Sequence, residues 1–195
     1  MKSILINTFV ILSMLSASGA QAENPRVKFE TTAGDFTVEL NPAQAPVTVE
    51  NFMKYVDNGH FEGTIFHRVI RDFMVQGGGF TVGFEQKETL DPIALESYNG
   101  LKNDKGTLAM ARTSIPDSAT AQFFINVKDN DFLNYASDAN PGYAVFGKVV
   151  EGMHIIMQIS TRPTGPGGPS RRMQDVPAVP VIIETVTVVN TAPAE

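Results

Sequence analysis

Few residues of this 195-residue chain are of the types that usually perform catalysis. The chain contains no cysteine, which excludes thiolate catalysis, disulfides and cysteine-based zinc sites. None of its three histidines, His60, His67 and His154, has a partner at the i,i+4 spacing of helical metal sites. The sequence has neither a nucleophile-elbow serine motif nor a phosphate-binding P-loop. We therefore predict a protein that uses no metal and no cofactor.

One polar side chain that could act chemically is an arginine in the segment from Phe66 to Gly78. Because side chains alternate along a strand, Arg68 is predicted to lie on the same face as Phe66 and Ile70, and Gln76 on the same face as Met74. Taken alone, this pattern is also typical of an arginine that extends from the rim of a core.

A second segment, 121–127, favours a functional surface. Phe123, Ile125 and Val127 form one wholly apolar face, whereas Phe124 lies between two amide side chains on the other face. Single exposed apolar residues are common. An apolar patch ringed by amides and an arginine, however, is typical of a surface that binds peptides.

The elements that must position these residues are short. Alternating apolar residues predict a hairpin over 26–40, and β-branched and aromatic runs predict further strands over 65–76, 108–112, 122–127, 143–149 and 181–189. Two amphipathic helices are predicted, one around Val49–Val56 and one over Glu151–Ile159. The segment Thr161–Pro180, rich in proline and glycine, is predicted to be a loop. The pattern favours an antiparallel barrel or sandwich with helices covering its ends.

The N-terminus predicts export. Residues 3–22 carry no charge, have an apolar centre and end in Ala20-Gln21-Ala22, which fits the cleavage pattern of a secretory signal peptide. We expect removal after Ala22, a single domain over 23–195 and no membrane segment in the mature chain. The alternative is an uncleaved anchor, because about 20 residues can span a bilayer.

The formal net charge of −6 argues against a nucleic-acid partner.

Several linked motifs resemble the cyclophilin family of peptidyl-prolyl cis–trans isomerases. They occur in that family's order and roughly its spacing, and the resemblance is greatest to the bacterial periplasmic cyclophilins. The motifs are Phe66-His67-Arg68-Val69-Ile70, Phe73-Met74-Val75-Gln76-Gly77-Gly78, Met110-Ala111-Arg112, Gln122-Phe123-Phe124-Ile125 and Val145-Phe146-Gly147.

The resemblance implies a fold and a set of site residues. The fold is a mainly β structure, a closed eight-stranded antiparallel β-barrel capped by two α-helices. Arg68 matches the catalytic arginine. The positions that match the substrate-binding groove are Phe73, Met74, Gln76, Ala111, Arg112, Gln122, Phe124, Phe132, Leu133 and Tyr143.

Three of these positions depart from many eukaryotic members, among them Arg112, which replaces an asparagine. Phe132 stands where they have a tryptophan, which implies weak binding of cyclosporin, and Tyr143 stands where they have a histidine.

The activity implied is isomerisation of X–Pro bonds in unfolded or partly folded exported proteins, in the periplasm and by a monomer. Rotation about an amide makes and breaks no covalent bond, so neither a nucleophile nor a cofactor is required. The alternative is a chaperone on the same barrel that binds proline peptides without catalysis.

Overall fold

Short alternating segments form the strands of the computed structural model, which describes residues 23–189. In the first strand, for example, Val27 and Phe29 are fully buried, while the residues between and beside them are partly exposed. The ten strands are β1 (Arg26–Thr31), β2 (Phe36–Leu40), β3 (Arg68–Ile70), β4 (Met74–Gly77), β5 (Thr107–Met110), β6 (Phe123–Asn126), β7 (Val145–Glu151), β8 (Thr164–Gly167), β9 (Met173–Pro177) and β10 (Ile183–Val189).

Both predicted helices are present. Helix α1 (Pro46–Asp57) begins with a proline, whose fixed φ and missing N–H suit the first helical turn. It buries Val49, Phe52 and Val56, the apolar stripe that the sequence shows. Helix α2 (Met153–Ser160) buries Ile156 and Ile159 in the same way.

Eight strands form one antiparallel sheet in the order β10-β1-β2-β7-β5-β6-β4-β3. The sheet curls through 214° and is an open half-barrel, so the predicted closure was wrong. Its end strands β10 and β3 share no ladder; the chain before β3 makes an isolated bridge between Ile65 and Ile182 instead. The two edges therefore meet only through the irregular segment 63–66, since β3 itself is three residues long and does not pair with β10.

A cluster of aromatic rings fills the concave side of this sheet. Phe29 and Phe36 stack with ring centroids 4.7 Å apart, and Phe52 meets Phe123 edge to face at 5.8 Å. Each ring in this cluster removes a large apolar surface from water, which makes the cluster the main source of stability.

A second, smaller apolar cluster lies on the other face of the sheet. It consists of five buried residues, Met74, Ala109, Phe124, Leu133 and Val145. Because neighbouring residues of a strand point to opposite faces, Phe123 belongs to the aromatic core and Phe124 to this second cluster.

The predicted loop at 161–180 is largely a hairpin. Strands β8 and β9 pair as a separate two-stranded sheet, with Gly165 opposite Val176 and Gly167 opposite Met173. The prediction of a loop was wrong because proline and glycine have low strand propensity, yet this short two-stranded ladder tolerates them.

The predicted signal peptide, residues 1–22, lies outside the described residues. Between residues 23 and 189, no helix combines the length and the hydropathy that crossing a membrane requires.

Candidate active site

The register of the strands places three of the predicted residues in one row across the sheet. Arg68 on β3 lies opposite Gln76 on β4, and Gln76 lies opposite Phe124 on β6. The row continues through Ala109 on β5, which pairs with Phe124. Directly opposite residues of antiparallel strands point to the same face, so the guanidinium, the amide and the aromatic ring face the same groove.

Contrary to the sequence prediction, Arg68 does not share a face with Phe66. Phe66 is fully buried in the aromatic core, while 45% of the Arg68 side chain is exposed. The two residues do not share a face because the strand begins only at Arg68, and the period of two does not extend back to Phe66.

A cavity of about 240 Å³ opens along this row. Its floor and one end are apolar, and its rim carries the two arginines and an amide. Its lining consists of Arg68, Phe73, Met74, Gln76, Ala111, Arg112, Phe124, Leu133 and Tyr143.

Two predicted residues lie next to the cavity and do not line it. Gln122 stands behind Gln76, whose Nε2 donates a hydrogen bond of 3.0 Å to the Gln122 Oε1. Phe132 is 65% exposed and stacks on Phe73, with ring centroids 5.6 Å apart. Gln122 thus orients the Gln76 amide, and Phe132 forms an apolar shelf at the edge of the pocket.

Arg112 stabilises the wall opposite Arg68. Its Nε and Nη2 donate to the Gly142 carbonyl at 2.9 and 2.7 Å, and its Cζ lies 4.7 Å from the centre of the Tyr143 ring. The Tyr143 ring in turn meets Phe124 edge to face at 5.6 Å. With its donors engaged in this way, the Arg112 side chain holds Tyr143 against the pocket floor.

The backbone at Ala111 is partly engaged within the sheet. Its N–H donates to the carbonyl of Gln122 at 2.9 Å. A substrate chain that pairs with Ala111 would therefore use its carbonyl, since one backbone N–H makes one such bond.

The sequence reasoning missed a carboxylate beside the arginine. Asp175 on β9 lies with its Oδ2 3.8 Å from the Arg68 Nε, and among the described residues it is the single ionic partner of Arg68. No sequence pattern pointed to it, because 107 residues separate the two positions. An exposed pair of this kind contributes little to stability, about 0–1 kcal/mol.

Also missed was a buried group of asparagines behind the pocket. Asn130 donates from Nδ2 to the Phe73 carbonyl at 2.9 Å and to Asn126 Oδ1 at 2.7 Å. Asn103 donates from Nδ2 to the Leu133 carbonyl at 3.1 Å. These bonds hold the backbone of two pocket residues. A signal was present in the sequence, in that asparagines recur at 126, 130 and 134 in a segment otherwise predicted to be a strand and its exit.

The groove does not depend on a titrating histidine. His67 does not line the cavity; 4% of it is exposed, and its ring meets Phe80 edge to face at 4.8 Å. Burial, with a smaller contribution from the charge of Arg68, lowers the pKa of His67 to about 4. Within residues 23–189, no group of three or more His, Asp or Glu side chains is placed to hold a metal ion.

Comparison with known proteins identifies the class of protein to which this fold and groove belong. Residues 26–188 match the family model for the cyclophilin-type peptidyl-prolyl cis-trans isomerase. The chain belongs to this family, and it is an isomerase of X–Pro bonds.

Relatives of known name agree with this assignment. The peptidyl-prolyl cis-trans isomerase cyp18 of Streptomyces antibioticus is 57% identical over 84% of this chain and 98% of its own length. Peptidyl-prolyl cis-trans isomerase B of Escherichia coli is 53% identical over 83% of this chain and 98% of its own.

A solved structure shows a similar fold. The crystal structure of a cyclophilin-type isomerase from Cryptosporidium parvum is 26% identical, with a TM-score of 0.69 over 87% of this chain and 99% of that chain.

Proposed function

We propose that Arg68 catalyses the isomerisation by stabilising the twisted amide. Resonance makes the planar X–Pro bond resist rotation, with a barrier of about 18–20 kcal/mol. When the bond is twisted, the lone pair of the prolyl nitrogen is no longer delocalised into the carbonyl. A guanidinium that donates a hydrogen bond to that nitrogen stabilises the twisted form more than either planar form, which is the condition for catalysis.

The observation that carries this proposal is the row of Arg68, Gln76 and Phe124 along one cavity. The apolar end of the cavity suits a proline ring, and the amide suits the flanking peptide group. Arginine keeps its charge at any physiological pH, so the donor needs no activation. A related C. parvum isomerase, 27% identical over 85% of this chain, was solved in the presence of the dipeptide Ala-Pro, which supports proline peptides as occupants.

The required rate enhancement is within reach of such a site. Uncatalysed isomerisation takes about 10–100 s, and ordinary enzymes turn over at about 1–10³ s⁻¹. The enhancement of about 10–10⁵-fold corresponds to roughly 1–7 kcal/mol at the transition state. One charge-assisted hydrogen bond in a sheltered groove, together with positioning of the ring, supplies an effect of this size.

The test is the exchange rate of an X–Pro peptide, measured by NMR, with the wild type and two arginine variants. Arg68→Ala removes the donor and should lower kcat/KM by roughly 10²–10³-fold. Arg26→Ala, which removes a guanidinium on β1 that pairs with Glu39, should leave the rate unchanged. Circular dichroism checks that both variants are folded. Full activity of Arg68→Ala would contradict the proposed role.

We further propose that the enzyme acts on exported proteins in the periplasm, after cleavage of the leader at Ala22. The support is the uncharged apolar leader with its Ala-Gln-Ala ending. Mass spectrometry of the protein recovered from a periplasmic fraction should give a chain that begins at Glu23. A chain that keeps residues 1–22 would contradict export by cleavage. The monomeric state and weak binding of cyclosporin stay predictions.

A further inference from the structure

The β8–β9 hairpin carries positive charge in a negatively charged protein. Residues 161–180 contain three arginines, Arg162, Arg171 and Arg172, and a single carboxylate, Asp175, whereas the chain as a whole has a formal net charge of −6. Arg71, in the turn after β3, adds a further cation.

These four arginines differ from other cations of the described residues in their ionic pairing. None of them forms a salt bridge with a carboxylate within residues 23–189, whereas Arg26, Lys28 and Lys54 each do. Arg71, Arg171 and Arg172 are also exposed. Arg171 and Arg172 are consecutive residues at the tip of the hairpin, and an acidic protein that leaves such a pair without a carboxylate partner keeps a local positive potential there.

The hairpin lies beside the catalytic groove. Strand β9 packs along β3, and its Asp175 is the residue that contacts Arg68. Consecutive Cα atoms are 3.8 Å apart, so the Cα of Arg172 lies within about 11 Å of the Cα of Asp175. A peptide extends about 3.3 Å per residue. A substrate chain that leaves the groove past Arg68 therefore reaches the hairpin tip within roughly three to four residues.

We infer that this hairpin is a substrate-binding surface that selects polypeptides with acidic residues a few positions from the proline. The inference rests on the proposed placement of the X–Pro bond beside Arg68. It adds a charge preference that the apolar pocket cannot supply, because a proline ring is the same whatever the charge of its neighbours. An ion pair that is equally strong with the planar and the twisted X–Pro bond lowers KM without raising kcat, so the preference should appear in KM.

The experiment compares three X–Pro peptides of equal length by NMR exchange: a neutral one, one with two aspartates after the proline, and one with two aspartates before it. We expect the wild type to have about a two- to five-fold higher kcat/KM for at least one acidic peptide, the range of an exposed ion pair. The gain should lie in KM. It should vanish near 1 M salt, where the screening length falls to about 3 Å.

Two double variants locate the effect. Arg171→Gln with Arg172→Gln should abolish the preference while leaving the rate for the neutral peptide unchanged. Lys54→Gln with Lys148→Gln removes the same charge from α1 and β7 and should retain the preference.

Equal kcat/KM for all three peptides in the wild type, or a preference that survives the arginine double variant, would overturn the inference. The Arg68→Ala variant distinguishes a failure of this charge preference from a failure of the proposed mechanism. If Arg68→Ala stays fully active, the mechanism fails, whereas the charge preference of the wild type is measured independently of that result.

Discussion

At the scale of single residues, the groove depends on a glycine, Gly79, that leaves room for a neighbouring side chain. A Cβ at Gly79 would lie 2.6 Å from the Cγ of Gln122 and 2.8 Å from its Nε2. The backbone at position 79 thus packs directly against the amide that orients Gln76. This close approach is a reason for glycine that the sequence could only suggest.

Substituting Gly79→Ala should therefore disturb catalysis without unfolding the protein. The methyl group displaces the Gln122 side chain and breaks its hydrogen bond with Gln76, and we expect kcat/KM to fall about three- to ten-fold, the effect of one hydrogen bond of about 1 kcal/mol. Gly83→Ala is the matched control, since its nearest non-neighbour atom is 3.7 Å away. An unchanged kcat/KM for Gly79→Ala, with the variant folded, would show that the pair of glutamines does not affect the reaction.

At the scale of elements, the antiparallel register and the buried asparagines together fix the geometry of the pocket. The register sets which side chains share a face, as the row from Arg68 to Phe124 shows. The segments that close the pocket, around Phe73 and Leu133, are not regular strands. Their positions are held by hydrogen bonds from Asn130 and Asn103 instead.

Removing one of these asparagines should loosen the pocket. Asn130→Ala leaves the fully buried Asn126 Oδ1 without its donor and takes one donor from the Phe73 carbonyl. We expect the free energy of unfolding to fall by about 1–3 kcal/mol, and KM to rise more than kcat falls, because Phe73 shifts. Chemical denaturation and steady-state kinetics measure the two effects. The exposed Asn140→Ala should change neither; equal values for both variants would contradict a positioning role.

At the scale of the whole molecule, one sheet serves two purposes. Its concave side holds the aromatic core, and the outer face carries the smaller cluster on which the groove is built. Val69 belongs to the first side although its neighbour Arg68 belongs to the second. The aromatic core and the groove therefore draw on alternate residues of the same strand.

The buried His67, which precedes β3, predicts how stability responds to acid. The pKa of His67 is about 4 in the folded protein because burial disfavours the charged ring, compared with about 6.5 when unfolded. Between these values the unfolded state binds more protons, so the free energy of unfolding falls as the pH drops from about 6.5 towards 4. Over this pH range the free energy of unfolding falls by about 3 kcal/mol on account of His67, because each unit of pKa difference corresponds to 1.36 kcal/mol.

Urea denaturation at several pH values measures this dependence. His67→Gln should lose this part of the pH dependence, since it has no ring to protonate, while His154→Gln, an exposed histidine on α2, should behave as the wild type does. A pH dependence of His67→Gln that equals the wild-type curve would assign the acid sensitivity to other groups.

The sequence predicted most of the elements because they depend on local periodicity. The stripe of Val49, Phe52 and Val56 indicated α1, and alternation indicated both strands of the first hairpin. The sequence did not predict the hairpin at 164–177, because proline and glycine there outweigh any strand propensity. The predicted closure of the barrel was also wrong, since closure depends on how far the three-residue strand β3 can extend.

The sequence by itself determined the apolar faces of several strands, the two helices and, through linked motifs, the family of isomerases to which this chain belongs. These follow from spacing within a few residues, where chain geometry alone sets what faces what. The tertiary structure alone decided that Asp175 meets Arg68, that Asn130 supports Phe73 and that a cationic hairpin borders the groove. Such contacts join positions far apart in the chain, and no local pattern encodes them.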